Sequence, residues 1–272
     1  PAKQFELVKS GVLDIAWILP GYTPGQFPEM GLFELPFLFD TALEAATVGW
    51  QLYDAGLLTG FDGVRLIGFF STAPNGLFMR RSIDTPLAMD GYKIRAVGAI
   101  HSEWLNALGA AAQTMSAIDM NQALDRDIVD GGIQGWSGMR TFGSFPLVEQ
   151  AWDIPVGMTP FLLLINEKSW QRQPASVQRA MLHHGGLRIA RSSGRAYAAI
   201  NQQIRAALRE TDKPALMTPD AATQQALVER TQALHTAWMS ASSDRERTYR
   251  AAQTFLSQLR AETPSVSRGT AP

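Results

Sequence analysis

Cysteine is absent from the 272-residue chain, which excludes disulfide bonds, thiolate metal sites and cysteine nucleophiles. An excess of either charge is also lacking, because 24 basic and 25 acidic residues leave a formal net charge of -1. A nucleic-acid surface normally carries a basic excess, so we expect no nucleic-acid partner. No apolar run approaches the roughly 20 residues that cross a bilayer, so we expect no membrane insertion.

Catalytic motifs are scarce as well. The four histidines show neither metal-binding nor His-Asp spacing: His101, His183, His184 and His235. The run Gly135-Trp136-Ser137-Gly138 resembles a nucleophile elbow, but a glycine comes one position too early for G-x-S-x-G. A phosphate-binding glycine loop is also missing. We therefore predict no catalytic residue, no metal site and no cofactor, and a hydrolytic enzyme on an α/β scaffold stays only an alternative.

The most informative stretch covers residues 90–136. Residues 92–97 alternate like a half-buried strand, and a helix-like segment follows at 101–108. After a run of small residues to Thr114, Ser116 to Asp119 forms a capping box at the start of a second helix. A turn at 130–132 then leads into a third strand-like run. The order strand, helix, strand, helix, strand predicts parallel strands joined by crossovers.

Two polar residues fall at the carboxyl ends of these predicted strands, where α/β proteins usually bind ligands. Arg95 ends the first strand and Gln134 ends the last. A guanidinium there presents a planar fork of donors that matches a carboxylate. The alternative is a surface arginine paired with an acidic neighbour. If Arg95 binds ligand, we expect Arg95→Ala to abolish carboxylate binding and to leave the fold intact.

The flanking segments suggest two lobes, as a length of 272 residues also does at roughly 150 residues per domain. The apolar run 13–19 predicts a buried parallel strand. Residues 64–70 form another strand pattern, which 71–74 break before a new extended run at 75–79, as in a hinge. Residues 174–211 are helical in pattern and either break at Gly185-Gly186 or Gly194 or bridge two lobes. Residues after Glu262 have the composition of a frayed tail.

Several ordered motifs together resemble one family. They are D-G-Y-K-I-R at 90–95, A-L-G-A at 107–110, M-S-A-I-D-M-N-Q-A-L at 115–124 and V-D-G-G at 129–132, preceded by G-V-L-D-I-A-W at 11–17, Phe27-Pro28 and Glu34-Leu35-Pro36-Phe37. This pattern resembles the DctP family, the periplasmic solute-binding receptors of tripartite ATP-independent (TRAP) transporters. The resemblance covers nearly the whole chain.

The resemblance implies an α/β, two-lobed fold of the periplasmic-binding-protein type, with hinge strands and a long helix bridging both lobes. Lobe I would comprise residues 1–73 and 160–199, and lobe II residues 74–159 and 200–272. The motif at 11–17 lies further into the family's mature proteins, so we expect the usual N-terminal strand and helix to be missing here. The family is secreted through a signal peptide, and the N-terminus shows no such segment.

The same resemblance implies a periplasmic solute receptor that binds a small organic acid and delivers it to the membrane subunits of a TRAP permease. Arg95 corresponds to the arginine that grips the substrate carboxylate, and Gln134 stands where the family often has asparagine. Asn75 occupies the position of a second arginine in sialic-acid-binding members, which argues against sialic acid. A sensor subunit that presents ligand to a membrane histidine kinase shares this fold and remains an alternative.

The pocket walls implied by the resemblance are apolar. Leu19 and Ala117 occupy contact positions, and Tyr22, Trp136 and Phe161 lie nearby. A sugar acid would leave hydroxyl groups unpaired there, at roughly 1–3 kcal/mol each. We therefore expect a monocarboxylate with a modest apolar or aromatic tail. Trp136 as a core residue and Tyr22 as an exposed loop aromatic are the alternatives.

Overall fold

The computed structural model describes residues 3–262 of the chain, so the predicted tail after Glu262 lies outside the described residues. The strands within that range are β1 (Ile15–Ile18), β2 (Val64–Ser71), β3 (Gly76–Met79), β4 (Lys93–Ala96), β5 (Ala111–Thr114), β6 (Gly131–Gln134), β7 (Gln150–Trp152), β8 (Pro160–Asn166) and β9 (Ala215–Met217). They form two separate sheets.

Helices pack around both sheets. They are α1 (Gln4–Lys9), α2 (Gly31–Glu34), α3 (Ala42–Asp54), α4 (Ala99–Ala107), α5 (Ala117–Asp125), α6 (Trp136–Thr141), α7 (Glu167–Gln171), α8 (Ala175–His184), α9 (Gly186–Arg209), α10 (Ala221–Ser240) and α11 (Ser243–Glu262), with short 3-10 turns at Pro20–Tyr22, Pro28–Met30 and Phe145–Leu147. Among the described residues, none of the helices combines the length and apolar character needed to cross a membrane.

The sheet of the first lobe has the strand order β1-β8-β2, and both pairings are antiparallel. The prediction of a buried parallel strand at 13–19 was therefore wrong. Ile15 and Trp17 are 42% and 41% exposed, whereas Ala16 and Ile18 are buried. The apolar run misled because both faces of β1 carry apolar side chains although only one face packs on the core.

The sheet of the second lobe has the order β5-β4-β6-β3-β7-β9. Strands β5, β4 and β6 are parallel to one another, as the order of elements at 90–136 predicted. The Oγ of Ser116 caps α5 by accepting a hydrogen bond from the backbone N–H of Asp119, as its sequence position indicated. The chain leaves the first sheet at Ser71 and enters the second at Gly76, which confirms the predicted hinge crossing.

The long helical segment predicted at 174–211 is divided at Gly185, and its second helix bridges the two lobes. Helix α8 ends at Gly185, and α9 then runs for 24 residues, which is about 36 Å at 1.5 Å per residue. It contacts β2 and α3 of the first lobe and α6 and β9 of the second. Gly194 does not break α9. It permits close packing instead, because a Cβ at this position would lie 2.5 Å from the Cα of Leu43. The two-lobed fold with a bridging helix is thus confirmed.

One part of the predicted division differs in the structure. Residues 200–272 were assigned to lobe II, but α11 packs against α3 of the first lobe. Its apolar stripe, Tyr249, Ala252 and Leu256, belongs to the core that contains Phe33 and Leu52. The periodicity of α11 indicated one buried face, but only tertiary contacts decide which lobe buries that face.

Candidate functional site

A cavity of about 280 Å³ lies where the two lobes meet. Both sheets contribute to its walls, together with the loop after β1, the start of α5 and the segment after β6. Six residues proposed from sequence line this cavity: Leu19, Tyr22, Arg95, Ala117, Gln134 and Phe161. The structure thus brings together six of the residues named from sequence, although they lie far apart along the chain.

Arg95 is fully buried among the lining residues. Its Nε donates to the carbonyl oxygen of Met115 at 3.0 Å, and its Nη1 donates to the carbonyl of Ile133 at 2.7 Å and to Oε1 of Gln134 at 3.0 Å. These bonds join β4 to β6 and to the loop before α5. The guanidinium is therefore fixed in place, and Nη2 is the nitrogen not used in these bonds.

The charge of Arg95 has no close acidic partner. No carboxylate lies within 4.0 Å of its nitrogens in the described part of the chain. Burial lowers the pKa of Arg95 to about 10, although neighbouring Tyr22 and Glu34 act in the opposite direction. Arg95 is thus still protonated at neutral pH. A buried cation without a carboxylate in direct contact is unusual in proteins, where buried charges are normally paired.

Gln134 lies beside Arg95, and the hydrogen bond from Arg95 orients the Gln134 side-chain amide. Because its Oε1 accepts from Arg95 Nη1, the part of the amide left for a ligand is the NH2 group, which can only donate. Arg95 and Gln134 together offer hydrogen-bond donors at one end of the cavity. Such a set of donors suits an anionic oxygen.

Tyr22 connects the two lobes at the wall of the cavity. Its hydroxyl accepts the backbone N–H of Ala117 at 2.9 Å, so a loop of the first lobe contacts the first residue of α5 in the second. The side chain is only partly exposed, which does not fit the alternative of a free loop aromatic. This bond places both residues at the same wall of the cavity.

Aromatic side chains from both lobes also line the cavity, among them Trp17 and Phe142. The ring centroid of Trp17 lies 4.2 Å from that of Phe70 and 5.4 Å from that of Phe161. Ile118 and Phe142, both partly exposed, line the cavity from the second lobe. Trp17 was not predicted as a site residue, yet the two-residue period of β1 could have found it, because Trp17 and Leu19 share one face of the extended chain.

Two predicted site residues do not line the cavity. Trp136 is 1% exposed and packs edge-to-face on Phe78 and under the guanidinium of Arg205, as a core residue. Asn75 is completely buried behind the wall, where it contacts Thr72 and Thr159. Both residues lie at the ends of short elements, where the sequence gives their position but not the direction of their side chains.

A buried carboxyl group lies beside the cavity. Glu34 of α2 is at the N-terminal end of α4, where burial raises its pKa to about 7, although the backbone N–H groups of Ile100 and His101 and the charge of Arg95 act in the opposite direction. The Nε2 of His101 bonds the carbonyl of Val156 at 2.9 Å, and its Nδ1 lies 3.9 Å from Glu34. Burial lowers the pKa of His101 to about 3, so this ring stays neutral.

We expect Glu34 to make the protein less stable as the pH rises towards 7. Its pKa is higher in the folded protein than the usual 4.5, so its contribution is fully present below pH 4.5 and is lost as the pH rises through about 7. Between about pH 5 and pH 7 this amounts to about 2 kcal/mol. Urea unfolding should therefore show a larger loss for the wild type than for Glu34→Gln, and parallel profiles of the two proteins would contradict it.

Two α/β lobes joined by crossing strands, with a cavity between them that ends at a fixed guanidinium, define a two-lobed solute-binding protein. The family model of bacterial extracellular solute-binding protein, family 7 (DctP), matches residues 1–241, and the chain belongs to this family. The chain spans 40% to 55% of the length of three curated relatives that it matches. One of them, the C4-dicarboxylate-binding periplasmic protein DctP of Rhodobacter capsulatus, is 28% identical over 191 residues, which are 66% of this chain and 55% of that protein.

Solved structures are similar over almost the whole chain. A marine metagenome TRAP solute-binding protein specific for aromatic acid ligands, in complex with metahydroxyphenylacetate, has a TM-score of 0.87 at 21% identity, with 95% of this chain and 84% of that chain covered. A TRAP periplasmic solute-binding protein from Bordetella bronchiseptica with bound (R)- and (S)-mandelate has a TM-score of 0.84 at 24% identity, with 95% and 85% covered. At these identities the likeness establishes the fold. Neither the sensor-subunit nor the hydrolase alternative draws support from these comparisons.

Proposed function

We propose that this protein is a periplasmic receptor that binds a small monocarboxylate with an apolar or aromatic tail and delivers it to the membrane subunits of a TRAP transporter. The observation that carries the proposal is Arg95, a buried and unpaired cation at one end of a mainly apolar cavity. In this assignment Arg95 and Gln134 bind the carboxylate. Leu19, Tyr22, Ala117 and Phe161 contact the rest of the ligand.

The carboxylate assignment follows from charge and geometry. An anionic oxygen at the Arg95 end would supply the counter-charge that the protein itself does not place within 4.0 Å of the guanidinium, within the part of the chain that is described. Inside a cavity that excludes water, such a pair is stronger than at a surface. Because Nε and Nη1 already bond protein acceptors, we assign the ligand contact to Nη2 and to the NH2 group of Gln134.

The apolar end of the cavity supports the choice of tail. Trp17, Phe161 and Ile118 line the cavity with rings and methyl groups. The indole N–H of Trp17 is the one hydrogen-bonding group among these three side chains. A ring or short apolar chain of the ligand would cover these surfaces, and each Å² of apolar surface removed from water favours binding by about 25 cal/mol. The marine protein named above is specific for aromatic acids, and its fold is shared here. We extend that ligand class to this chain as part of the proposal.

The two lobes are proposed to close over the ligand about the crossing strands. We assign residues 3–73, 160–199 and 243–262 to lobe I and residues 74–159 and 200–240 to lobe II. The bond from Ala117 to the Tyr22 hydroxyl would then hold the lobes together at the cavity. Hinge closure of this kind is a common way to enclose a small ligand.

Calorimetric titration with matched small molecules tests the proposed function. We expect phenylacetate to bind, and we expect 2-phenylethanol to bind at least about 30-fold more weakly, since it keeps the ring and loses the anionic group, a difference of about 2 kcal/mol. Glucuronate, an acid with a polar body, should bind weakly because its hydroxyl groups would be buried without partners. Binding of sugar acids alone, or equal binding of the acid and the alcohol, would contradict the proposal.

A further inference from the structure

One polar cluster interrupts the apolar wall, where the chain crosses between the lobes. Thr72 follows β2 and Thr159 precedes β8, and both line the cavity although each is less than a tenth exposed. The backbone N–H of Thr72 donates to the carbonyl of Thr159 at 3.0 Å, and the N–H of Thr159 donates to Oγ1 of Thr72 at 3.0 Å. Two backbone segments therefore fix the positions of the two hydroxyl groups.

Hydrogen bonds to Asn75 set the direction of the two hydroxyl protons. Oγ1 of Thr159 donates to Oδ1 of Asn75 at 3.2 Å, and Oγ1 of Thr72 donates to the same atom at 3.4 Å. A hydroxyl has one proton and two lone pairs, so a hydroxyl that has given its proton to Asn75 can only accept from a ligand. Oγ1 of Thr72 already accepts from the N–H of Thr159. The Oγ1 of Thr159 therefore keeps two lone pairs free for a ligand, whereas the Oγ1 of Thr72 keeps one.

The cluster lies beside Gly135, the residue that follows β6. A Cβ built on Gly135 would lie 3.3 Å from the methyl carbon of Thr72 and 3.5 Å from Oδ1 of Asn75. Gly135 directly follows Gln134, whose side chain is bonded to Arg95. Because Gly135 joins this cluster to Gln134, the carbon next to the carboxylate is the position that we assign to a hydroxyl bound near Thr159.

We infer that Thr159, held by Asn75 and Thr72, forms a subsite that accepts a hydrogen bond from a 2-hydroxyl group, so that the ligands of this chain are 2-hydroxy monocarboxylates. The inference rests on the proposed carboxylate site at Arg95. Asn75 is a positioning residue in this arrangement and does not touch the ligand. A ligand without the hydroxyl leaves Thr159 Oγ1 without its second partner, and sites built for a hydroxyl discriminate against analogues that lack it.

Three acids with one skeleton test the subsite in the unmodified protein. Mandelate carries the 2-hydroxyl, phenylacetate lacks it, and 2-methoxy-2-phenylacetate has the oxygen without the proton. We expect calorimetric titration to give a Kd for one mandelate enantiomer that is about 10-fold lower than for either other acid. Equal Kd values for mandelate and phenylacetate, or tighter binding of the methoxy compound, would overturn the inference and leave the carboxylate site standing. Failure of all three acids to bind would instead contradict the proposed function.

Variants at Thr159 separate the hydroxyl from packing. Thr159→Val keeps the shape and should reduce the ratio of the two Kd values, phenylacetate over mandelate, to about 1. Thr159→Ser keeps the hydroxyl and should preserve the ratio. Asn75→Ala should lower the same ratio because the hydroxyl groups become free to rotate, an effect that loss of stability alone would not produce. A ratio that Thr159→Val leaves unchanged would overturn the inference.

Discussion

Arg95→Met is expected to weaken the binding of a small monocarboxylate by at least about 100-fold, the largest effect of any single substitution in this chain on ligand binding. Methionine retains an unbranched apolar chain of similar length but provides neither the charge nor the donors. The ligand carboxylate would then be buried without a cationic partner. Removing one member of a buried charged pair typically costs about 2–5 kcal/mol.

The same substitution should also lower stability, which changes the expectation drawn from the sequence alone. Arg95→Ala was expected to leave the fold intact, but Arg95 bonds the carbonyl groups of Met115 and Ile133. Each carbonyl left without a partner in the interior costs about 1–3 kcal/mol. We therefore expect a lower free energy of unfolding for Arg95→Ala and Arg95→Met, and binding has to be measured well below the unfolding temperature.

Calorimetric titration of phenylacetate or mandelate, with circular dichroism to verify folding, checks this prediction. Arg95→Lys retains the charge but cannot reproduce the planar fork, so we expect intermediate affinity. Arg172→Met is the matched control, because Arg172 pairs with Asp14 at the surface and does not line the cavity. It should bind like the wild type. A folded Arg95→Met variant with a Kd within about three-fold of the wild type would refute the proposed carboxylate contact.

The central β4-α4-β5-α5-β6 unit could be predicted because its signals are local. Ser116 marks the start of α5 through its own hydroxyl. The turn predicted at 130–132 was placed too late, because Gly131 and Gly132 already belong to β6. Arg95 and Gln134 follow from that order of elements, since residues at the carboxyl ends of parallel strands share one edge of the sheet. Their mutual hydrogen bond is a consequence of this geometry.

Other features depend on contacts between distant segments, which no local pattern specifies. The sequence predicted Asn75 as a site residue from its position alone. Its hydrogen bond with Thr159 forms only because two segments that are distant along the chain meet where it crosses between the lobes. The direction of the Trp136 side chain depends on packing against Phe78 and Arg205 from other elements. The position of α11 depends on which lobe leaves an apolar surface uncovered. Long-range packing therefore decides both where α11 packs and which side chains line the cavity.

Gly157→Ala is expected to destabilise the protein by about 4 kcal/mol, because two separate penalties of roughly 1–3 kcal/mol each add at this position. Gly157 has a φ of +63°, a conformation that alanine adopts only with strain. A Cβ there would also lie 2.1 Å from the carbonyl oxygen of Glu34, a backbone atom that cannot turn aside. The neighbouring bond from Met158 N–H to the carbonyl of Phe33, 2.7 Å long, holds the same two segments together.

Gly91→Ala separates the two penalties, since Gly91 has a φ of +82° but no atom within 4 Å of an added Cβ. It should therefore lose only about 1 kcal/mol, the cost of the left-handed conformation. Urea unfolding of the three proteins gives the two differences directly. The excess loss in Gly157→Ala measures how rigidly the α2 segment packs against the irregular segment that leads to Thr159. Equal losses in the two variants would mean that this junction yields, and the fixed placement of Thr159 would then lose its physical basis.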